Sequence, residues 1–316
     1  MSSGACCTID DLHDARRAAQ QIGIPHYIVN FEGPFRTHVI DNFISEYLAG
    51  RTPIPCTHCN SDVKFATLLD RAAGLGAERL ATGHYVRVAF DTARGQYVLR
   101  RGSDHAKDQA YFLFSLTQDQ LAQALFPVGD MTKDAVRAYA RDRKLLTADK
   151  RDSHEICFVP HGDYAAFVER EAGVAMKPGV IRDSSGRVLA THDGVQHFTI
   201  GQRKGLKLSA GVPLYVNAIE AATATVTVGP RESIEHHVCE VTRVNWIAGT
   251  PPPLPRRAHV QIRHRHDAAA AILTPTAEDG VCVTFDEAQS AITPGQAAVF
   301  YDRDEVLGGG WIAAAR

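Results

Sequence analysis

The chain has 316 residues, 45% hydrophobic and 22% charged, an ordinary globular composition with room for two or three domains. Its formal net charge of -2 excludes a general basic coat, so any contact with nucleic acid has to come from local patches. Charge, proline or glycine breaks every apolar stretch well short of the ~20 residues that a membrane span needs, and no basic-then-apolar leader opens the chain. The expectation is a cytoplasmic protein whose seven cysteines act as thiols, ligands or catalysts rather than as a disulfide framework.

Leu12, Ala15, Ala19 and Ile22 recur at helical spacing between Asp10 and Gly23, and Gly23 supplies the stop. His26 to Asn30 then reads as a short strand. The next helix carries Ile40, Phe43, Ile44, Tyr47 and Leu48 on one stripe ahead of Gly50, and another runs from Val63 to Ala73 before Gly74. Arg79 to Thr82 reads as a buried strand ending at Gly83-His84. Such alternation predicts a parallel sheet covered on both faces, which binds ligands at the carboxyl ends of its strands. That rule points to Gly83 and His84. A nucleotide-binding sheet of this kind opens with a buried strand and a glycine-rich turn, so a sheet lacking its first strand-loop unit is expected here.

Beyond residue 163 the pattern becomes β-rich. Val180 to Leu189 forms two apolar runs around an Asp-Ser-Ser-Gly turn, and Leu214–Ile219 with Ala224–Val228 reads as a second hairpin. Alternating strands follow at Ala258–Arg265, Val281–Phe285 and Ala297–Tyr301, with the proline-rich connector 251–255 before them, and predict a closed or nearly closed β-barrel. The expected division is an α/β domain over residues 1–162, a small central β domain over 163–233 and a barrel over 234–316.

Cys56-Thr-His-Cys59 suits a redox dithiol, half of a zinc site, an activated nucleophile, or simply small residues at a helix entrance. Zinc needs two further ligands, and the adjacent pair Cys6-Cys7 is awkwardly spaced to supply them, so no metal site is predicted. A thiol just ahead of the Val63–Ala73 helix would lie at its positive end, which favours the thiolate. Cys157 taken alone reads as a core thiol, as do Cys239 and Cys282 in their strand-like runs. Lys107, Asp108 and Gln109 precede an apolar run and suit either a helix cap or a substrate contact. Thr199 to Gly205 combines two glycines with Arg203 and Lys204, which fits a phosphate loop or a plain turn. The window from Val241 to His266 contains five arginines and no acid, with Trp246 as a stacking surface, and fits either a phosphate-binding face or a solvated strand.

Six ordered motifs resemble the bacterial tRNA 2-thiouridylase family. They are Thr52-Pro-Ile-Pro-Cys-Thr-His-Cys-Asn60, Ala81-Thr-Gly-His-Tyr85, Lys107-Asp-Gln109, Asp152-Ser-His-Glu-Ile-Cys-Phe158, Phe198-Thr-Ile-Gly-Gln-Arg-Lys-Gly205 and Thr293-Pro-Gly-Gln296. The resemblance runs from about Ala5 to the C-terminus and implies an ATP-pyrophosphatase-type (adenine nucleotide alpha hydrolase-like) α/β domain, a central β domain and a C-terminal β-barrel. It implies ATP-dependent 2-thiolation of the wobble uridine of tRNA, with magnesium accompanying the nucleotide; the expected state is a monomer, which the sequence itself does not fix. By the same resemblance Cys157 carries a persulfide from a sulfur-relay protein or cysteine desulfurase, and Cys59 is the nucleophile, leaving a transient Cys59–Cys157 disulfide. Gly83 matches a nucleotide contact, His84 a residue that places the target base, and Gln296 a further base-site residue. Lys107, Asp108, Gln109, Arg263 and His264 match tRNA contacts. Cys56 stands where some relatives carry Asp, and its role stays open. The family opens with a strand and a Ser-Gly-Gly-x-Asp-Ser phosphate loop, which Ser2-Ser-Gly-Ala-Cys6 does not match. Two expectations follow: a thiolating enzyme whose phosphate loop lies outside this sequence, or a tRNA-binding chain without catalysis.

Overall fold

The computed structural model describes residues 9–150, 156–159, 162–208, 211–277 and 279–316. The first helix, Ile9–Ile22, ends where Gly23 takes φ +79° and its N–H closes on Ala19 O at 2.9 Å. Residues 32–48 form a second rod, in which wide π-type turns at Arg36–Ile40 separate two regular segments. Its stripe of Phe43, Ile44 and Tyr47 is buried, as the spacing predicts. Phe158 fills the space beside it, with its ring 5.6 Å from Phe35, 5.2 Å from Phe43 and 5.3 Å from Phe167 of the helix Tyr164–Ala172.

Four strands follow within this domain: β1 (Leu80–Ala81), β2 (Val86–Asp91), β3 (Gln96–Arg101) and β4 (Ala124–Leu125). Among the described residues of this domain, the parallel sheet is present as the pair β1 and β4, with Leu80 opposite Ala124. The expected strand at His26–Asn30 does not form, and β1 is half-exposed rather than buried. A strand is held by its neighbours' hydrogen bonds, and none of the described residues pairs with 26–30, where Tyr27 and Ile28 stand 66% and 62% exposed. The hairpin β2–β3 was not among the expected elements, although Val86, Val88 and Phe90 alternate with Arg87, Ala89 and Asp91. It extends the barrel sheet through a single register pair, Arg100 opposite Glu305.

The central domain holds β5 (Gly179–Asp183), β6 (Val188–His192), β7 (Tyr215–Glu220) and β8 (Thr225–Gly229) in the order β6-β5-β8-β7. Its first hairpin turns as predicted, because Asp183 Oδ1 accepts from the N–H of Ser185 and of Arg187. The barrel consists of β9 (Glu235–Trp246), β10 (Arg256–Gln261), β11 (Ala269–Pro275), β12 (Val281–Ser290), β13 (Ala297–Asp302) and β14 (Glu305–Ala315). These six close on themselves through the pairing of β13 with β14. β11 lies over the alanine run 268–271, whose small side chains give little strand signal.

β13 fixes how the barrel meets the first domain. Ala298 and Phe300 point into the barrel core, while Ala297, Val299 and Tyr301, on the other face, pack among Tyr111, Phe114 and Leu116. All five are fully buried, so two layers share one strand. Tyr111 adds a hydrogen bond from its hydroxyl to Ala297 O at 3.0 Å, and Asn245 Nδ2 donates to Phe114 O at 2.7 Å.

Candidate active site and RNA-facing surface

The cysteine pair sits inside a helix rather than ahead of one. Pro55 occupies its first turn, where a missing N–H costs nothing, and helical structure continues through 55–73, with π-type turns over Cys59–Leu68. The widened turns are visible in Thr67, whose hydroxyl reaches back five residues to Asp62 O at 2.9 Å. The barrel holds the entrance of this helix. Gln296 Nε2 donates to Thr52 O at 3.0 Å and to Pro53 O at 3.4 Å, and Thr52 N–H donates to Pro294 O at 3.0 Å. The turn fits because residue 295 is glycine: φ is +89°, and a Cβ there would lie 3.0 Å from both the nitrogen and the oxygen of Thr52. Just inside the helix, His58 stacks on Trp311 of β14 with ring centroids 4.8 Å apart and keeps Nδ1 3.0 Å from Asp62 Oδ2.

Cys157 reaches the same place from a distant part of the sequence. Phe158 and Val159 are buried beside residues 32–48, in the apolar cluster that Cys59 also joins, and Cys157 is left at the exposed rim. Charge on Cys157 is felt at both Cys56 and Cys59, so the three thiols share one electrostatic site. The positive helix end does not prevail here. Burial pushes the Cys59 thiol up, against the pull of Lys64. Cys56 lies on the exposed side, yet the surrounding protein desolvates its sulfur, and burial followed by repulsion from Cys157 and Cys59 raises it to about 11. Desolvation outweighs the helix end because the thiols sit against an apolar wall.

Gly83 follows β1 and is exposed, and a Cβ built on it would meet no atom within 4 Å. His84 is buried, with Nδ1 2.8 Å from Thr82 Oγ1 and its ring 6.2 Å from both Phe65 and Phe126. Burial, helped by Lys64, pushes its pKa down to about 3, so the imidazole is neutral at physiological pH. This has a consequence for stability. The unfolded chain, with its histidine near 6.5, binds more protons than the fold between those two values, so the contribution of His84 is complete above 6.5 and declines below it by about 1.4 kcal/mol per pH unit. Urea unfolding at pH 7 and pH 5 should therefore show His84→Gln losing about 2 kcal/mol less than the unsubstituted protein. Equal losses would remove His84 from the acid-sensitive groups.

Lys107, Asp108 and Gln109 form a loop clasped to the residue after His84. Tyr85 N–H donates to Gln109 Oε1 at 3.1 Å and Gln109 N–H to Tyr85 O at 3.2 Å. The Asp108 carboxylate accepts from Arg101 Nη1 at 2.8 Å, Gly102 N–H at 3.0 Å and Ala110 N–H at 3.2 Å. Arg101 lies 3.8 Å over the Tyr301 ring and donates to Gln261 Oε1, and Gln261 Nε2 donates to Arg263 O at 3.1 Å. One hydrogen-bonded path thus joins this loop to the barrel. β10 ends at Gln261, so Arg263 and His264 lie in the turn beyond it rather than in the expected strand. Arg263 Nη1 donates to Ser290 O at 2.9 Å, and the His264 ring rests 4.6 Å from Phe112.

The structure brings the anticipated residues into two adjoining groups. Cys59 and His84 both feel the charge of Lys64, Cys157 adjoins Phe158 in the cluster that Cys59 joins, and Gly83 precedes His84; Asp108, Gln109, Arg263 and His264 line the joint with the barrel. Lys64, Arg101, Gln261 and Trp311 were not anticipated; each is joined to the site by contacts made across the chain, and no local motif marks them. The acid-free basic window is compensated in part: Arg257 pairs with Asp286 and Arg256 with Asp302, both acids coming from other strands, while Arg243, Arg263 and Arg265 have no ion pair among the described residues.

Family models match the chain over three consecutive segments. These are a tRNA methyl transferase HUP domain over residues 1–161, a tRNA methyl transferase PRC-barrel domain over 165–230 and an aminomethyltransferase beta-barrel domain over 236–312. A tRNA-specific 2-thiouridylase MnmA from Solibacter usitatus is 53% identical, the alignment covering 98% of this chain and 86% of the relative. The chain belongs to the tRNA-specific 2-thiouridylase family. MnmA proteins from Geotalea uraniireducens and Acidobacterium capsulatum are 52% and 49% identical over 98% of this chain, with 82% and 85% of their own lengths covered. Family membership carries the HUP-type α/β class for the first domain, of which the β1–β4 pair is the parallel element. Among the described residues no helix is long and apolar enough to cross a membrane.

Proposed function

We propose that this protein is a tRNA-uridine 2-sulfurtransferase that uses ATP to replace the C2 oxygen of the wobble uridine with sulfur. The observation that carries the reading is that Cys59 packs in the apolar cluster that also holds Phe158, the neighbour of Cys157, while a neutral His84 stands against Phe65 of the same helix. Two thiols from separate parts of the chain can divide sulfur delivery between a carrier and a nucleophile.

The C2 oxygen of the uridine attacks the α-phosphorus of ATP, pyrophosphate leaves, and the oxygen becomes part of a good leaving group. Cys157 holds an outer sulfur as a persulfide, delivered by a sulfur-relay protein or cysteine desulfurase. Cys59 attacks the Cys157 sulfur, the bond to the outer sulfur breaks, and hydrosulfide departs with the electron pair. Hydrosulfide then adds to C2 and AMP leaves with the former uridine oxygen. A Cys59–Cys157 disulfide remains, and a dithiol reductant returns both residues to thiols. Because burial raises Cys59, its proton must leave as it attacks, and Lys64 is the cation placed to favour the thiolate. A neutral His84 offers the uncharged pyrimidine a hydrogen-bonding partner without a competing charge. Asp108, Gln109 and Gln296 keep the loops in register through hydrogen bonds to this chain, and Lys107, Arg263 and His264 meet the tRNA. The nucleotide approaches the end of β1 at Gly83, and any magnesium ion would be held with it by the phosphates.

The chain with tRNA, ATP and a persulfide donor should form 2-thiouridine and release AMP in equal amounts. Binding of tRNA without either product would favour a non-catalytic tRNA-binding protein. Gly83→Ala tests the nucleotide position. The added methyl meets open space, so melting should not change, while ATP binding by calorimetry should weaken by about tenfold through overpacking against the ligand. Unaltered ATP affinity would move the nucleotide away from β1.

A further inference from the structure

We propose that the loop from Thr199 to Lys207 in the central domain is a second phosphate-binding platform for the tRNA backbone; the inference rests on tRNA being the substrate. Arg203, Lys204 and Lys207 are all exposed on this loop. Among the described residues, the ion pairs nearby join Arg187 to Asp183 and His197 to Glu169 and leave out all three loop cations. By contrast Arg256 and Arg257 on the barrel pair with Asp302 and Asp286, whereas the three loop cations, without an acidic partner among the described residues, stay open to an anion.

The loop is rigid where it presents these charges. Gln202 braces it from within, accepting from Thr199 N–H at 3.0 Å and donating to Lys204 O at 3.0 Å. Gly201 N–H donates to Val216 O at 2.7 Å and Val216 N–H to Gln202 O at 3.0 Å, which ties the loop to β7. Leu206 is buried as an anchor, and Lys207 is held at φ 53°, a backbone conformation that L residues adopt only when surroundings impose it. Arg203 and Lys207 border a cavity of about 260 Å³ with walls from Leu208 and Pro213. Cations on the rim with an apolar floor suit a sugar-phosphate unit.

Its position is continuous with the barrel side of the site. A Cβ on Gly201 would lie 2.5 Å from that of Ala291, so the loop packs directly against the end of β12. The preceding residue, Ser290, holds the Arg263 guanidinium through its carbonyl, and the turn at Thr293 to Gln296 that grips Thr52 begins two residues later. Loop and Arg263 therefore flank the same short segment, and a polyanion lying on Arg263 can run on to Arg203, Lys204 and Lys207.

The test is tRNA binding as a function of KCl for the full chain and for the triple variant Arg203→Ala, Lys204→Ala, Lys207→Ala. Each lost phosphate contact should reduce the slope of log affinity against log salt by about 0.7–0.9, so the triple variant should lose about 2 to 3 and bind at least about tenfold more weakly at low salt. Its melting temperature should not change, and the charge-keeping variant Arg203→Lys, Lys204→Arg, Lys207→Arg should bind like the parent. Unchanged affinity and slope in the alanine variant would overturn the role of the loop alone. Failure of the unsubstituted chain to bind tRNA at any salt would overturn the tRNA reading and the loop's role with it.

Discussion

Cys59→Ser and Cys157→Ser should each reduce persulfide-driven 2-thiouridine formation by at least about a thousandfold while leaving tRNA affinity nearly unchanged. The size follows from the chemistry: without Cys157 there is no persulfide, and without Cys59 no thiolate attacks it. A hydroxyl cannot replace either sulfur. Binding should survive because both residues belong to the thiol site, while the cations expected to meet phosphate lie on other loops. Inorganic sulfide separates the two roles. It bypasses the persulfide, so both variants should recover part of their activity with sulfide, ATP and tRNA. Full persulfide-driven activity in either variant would sink the division of labour, and loss of tRNA binding would mean that the substitution had disturbed more than the chemistry.

Phe158→Ala should destabilise the fold by about 3–5 kcal/mol in urea unfolding. The side chain is only 2% exposed and packs on Phe35, Phe43 and Phe167, so its loss leaves a cavity and removes three aromatic contacts. The same ring anchors the segment that presents Cys157, so persulfide-driven thiolation should fall even where the variant remains folded. Phe158→Leu keeps an apolar anchor and should cost about half as much or less, with most of the thiolation retained. An alanine variant as stable as the parent would show that Cys157 is held by something else.

The sequence carried what local pattern can carry. The stripe Phe43, Ile44, Tyr47 was legible because burial on one side of a helix repeats every three or four residues, and the turn at Asp183 to Gly186 because side-chain capping is a local event. The motifs holding Cys59, Gly83, His84 and Cys157 were legible as strings, and their resemblance to the thiouridylases supplied the family. None of this told how buried each group is or what stands opposite it.

Tertiary structure decided those matters. Residues 26–30 have strand-like composition but no pairing partner among the described residues, so the pattern produces no strand. Arg256 and Arg257 sit in an acid-free stretch, yet Asp302 and Asp286 reach them across the barrel and offset those two charges. The Cys59 thiol lies in the first turns of a helix, whose start favours a thiolate, and an apolar wall built partly by Phe158, about a hundred residues later, drives it the other way. Sequence by itself determined the family, the local turns and the helical faces, because these depend on neighbours along the chain. Charge compensation, desolvation and strand pairing depend on neighbours in space, and only the fold assigns those.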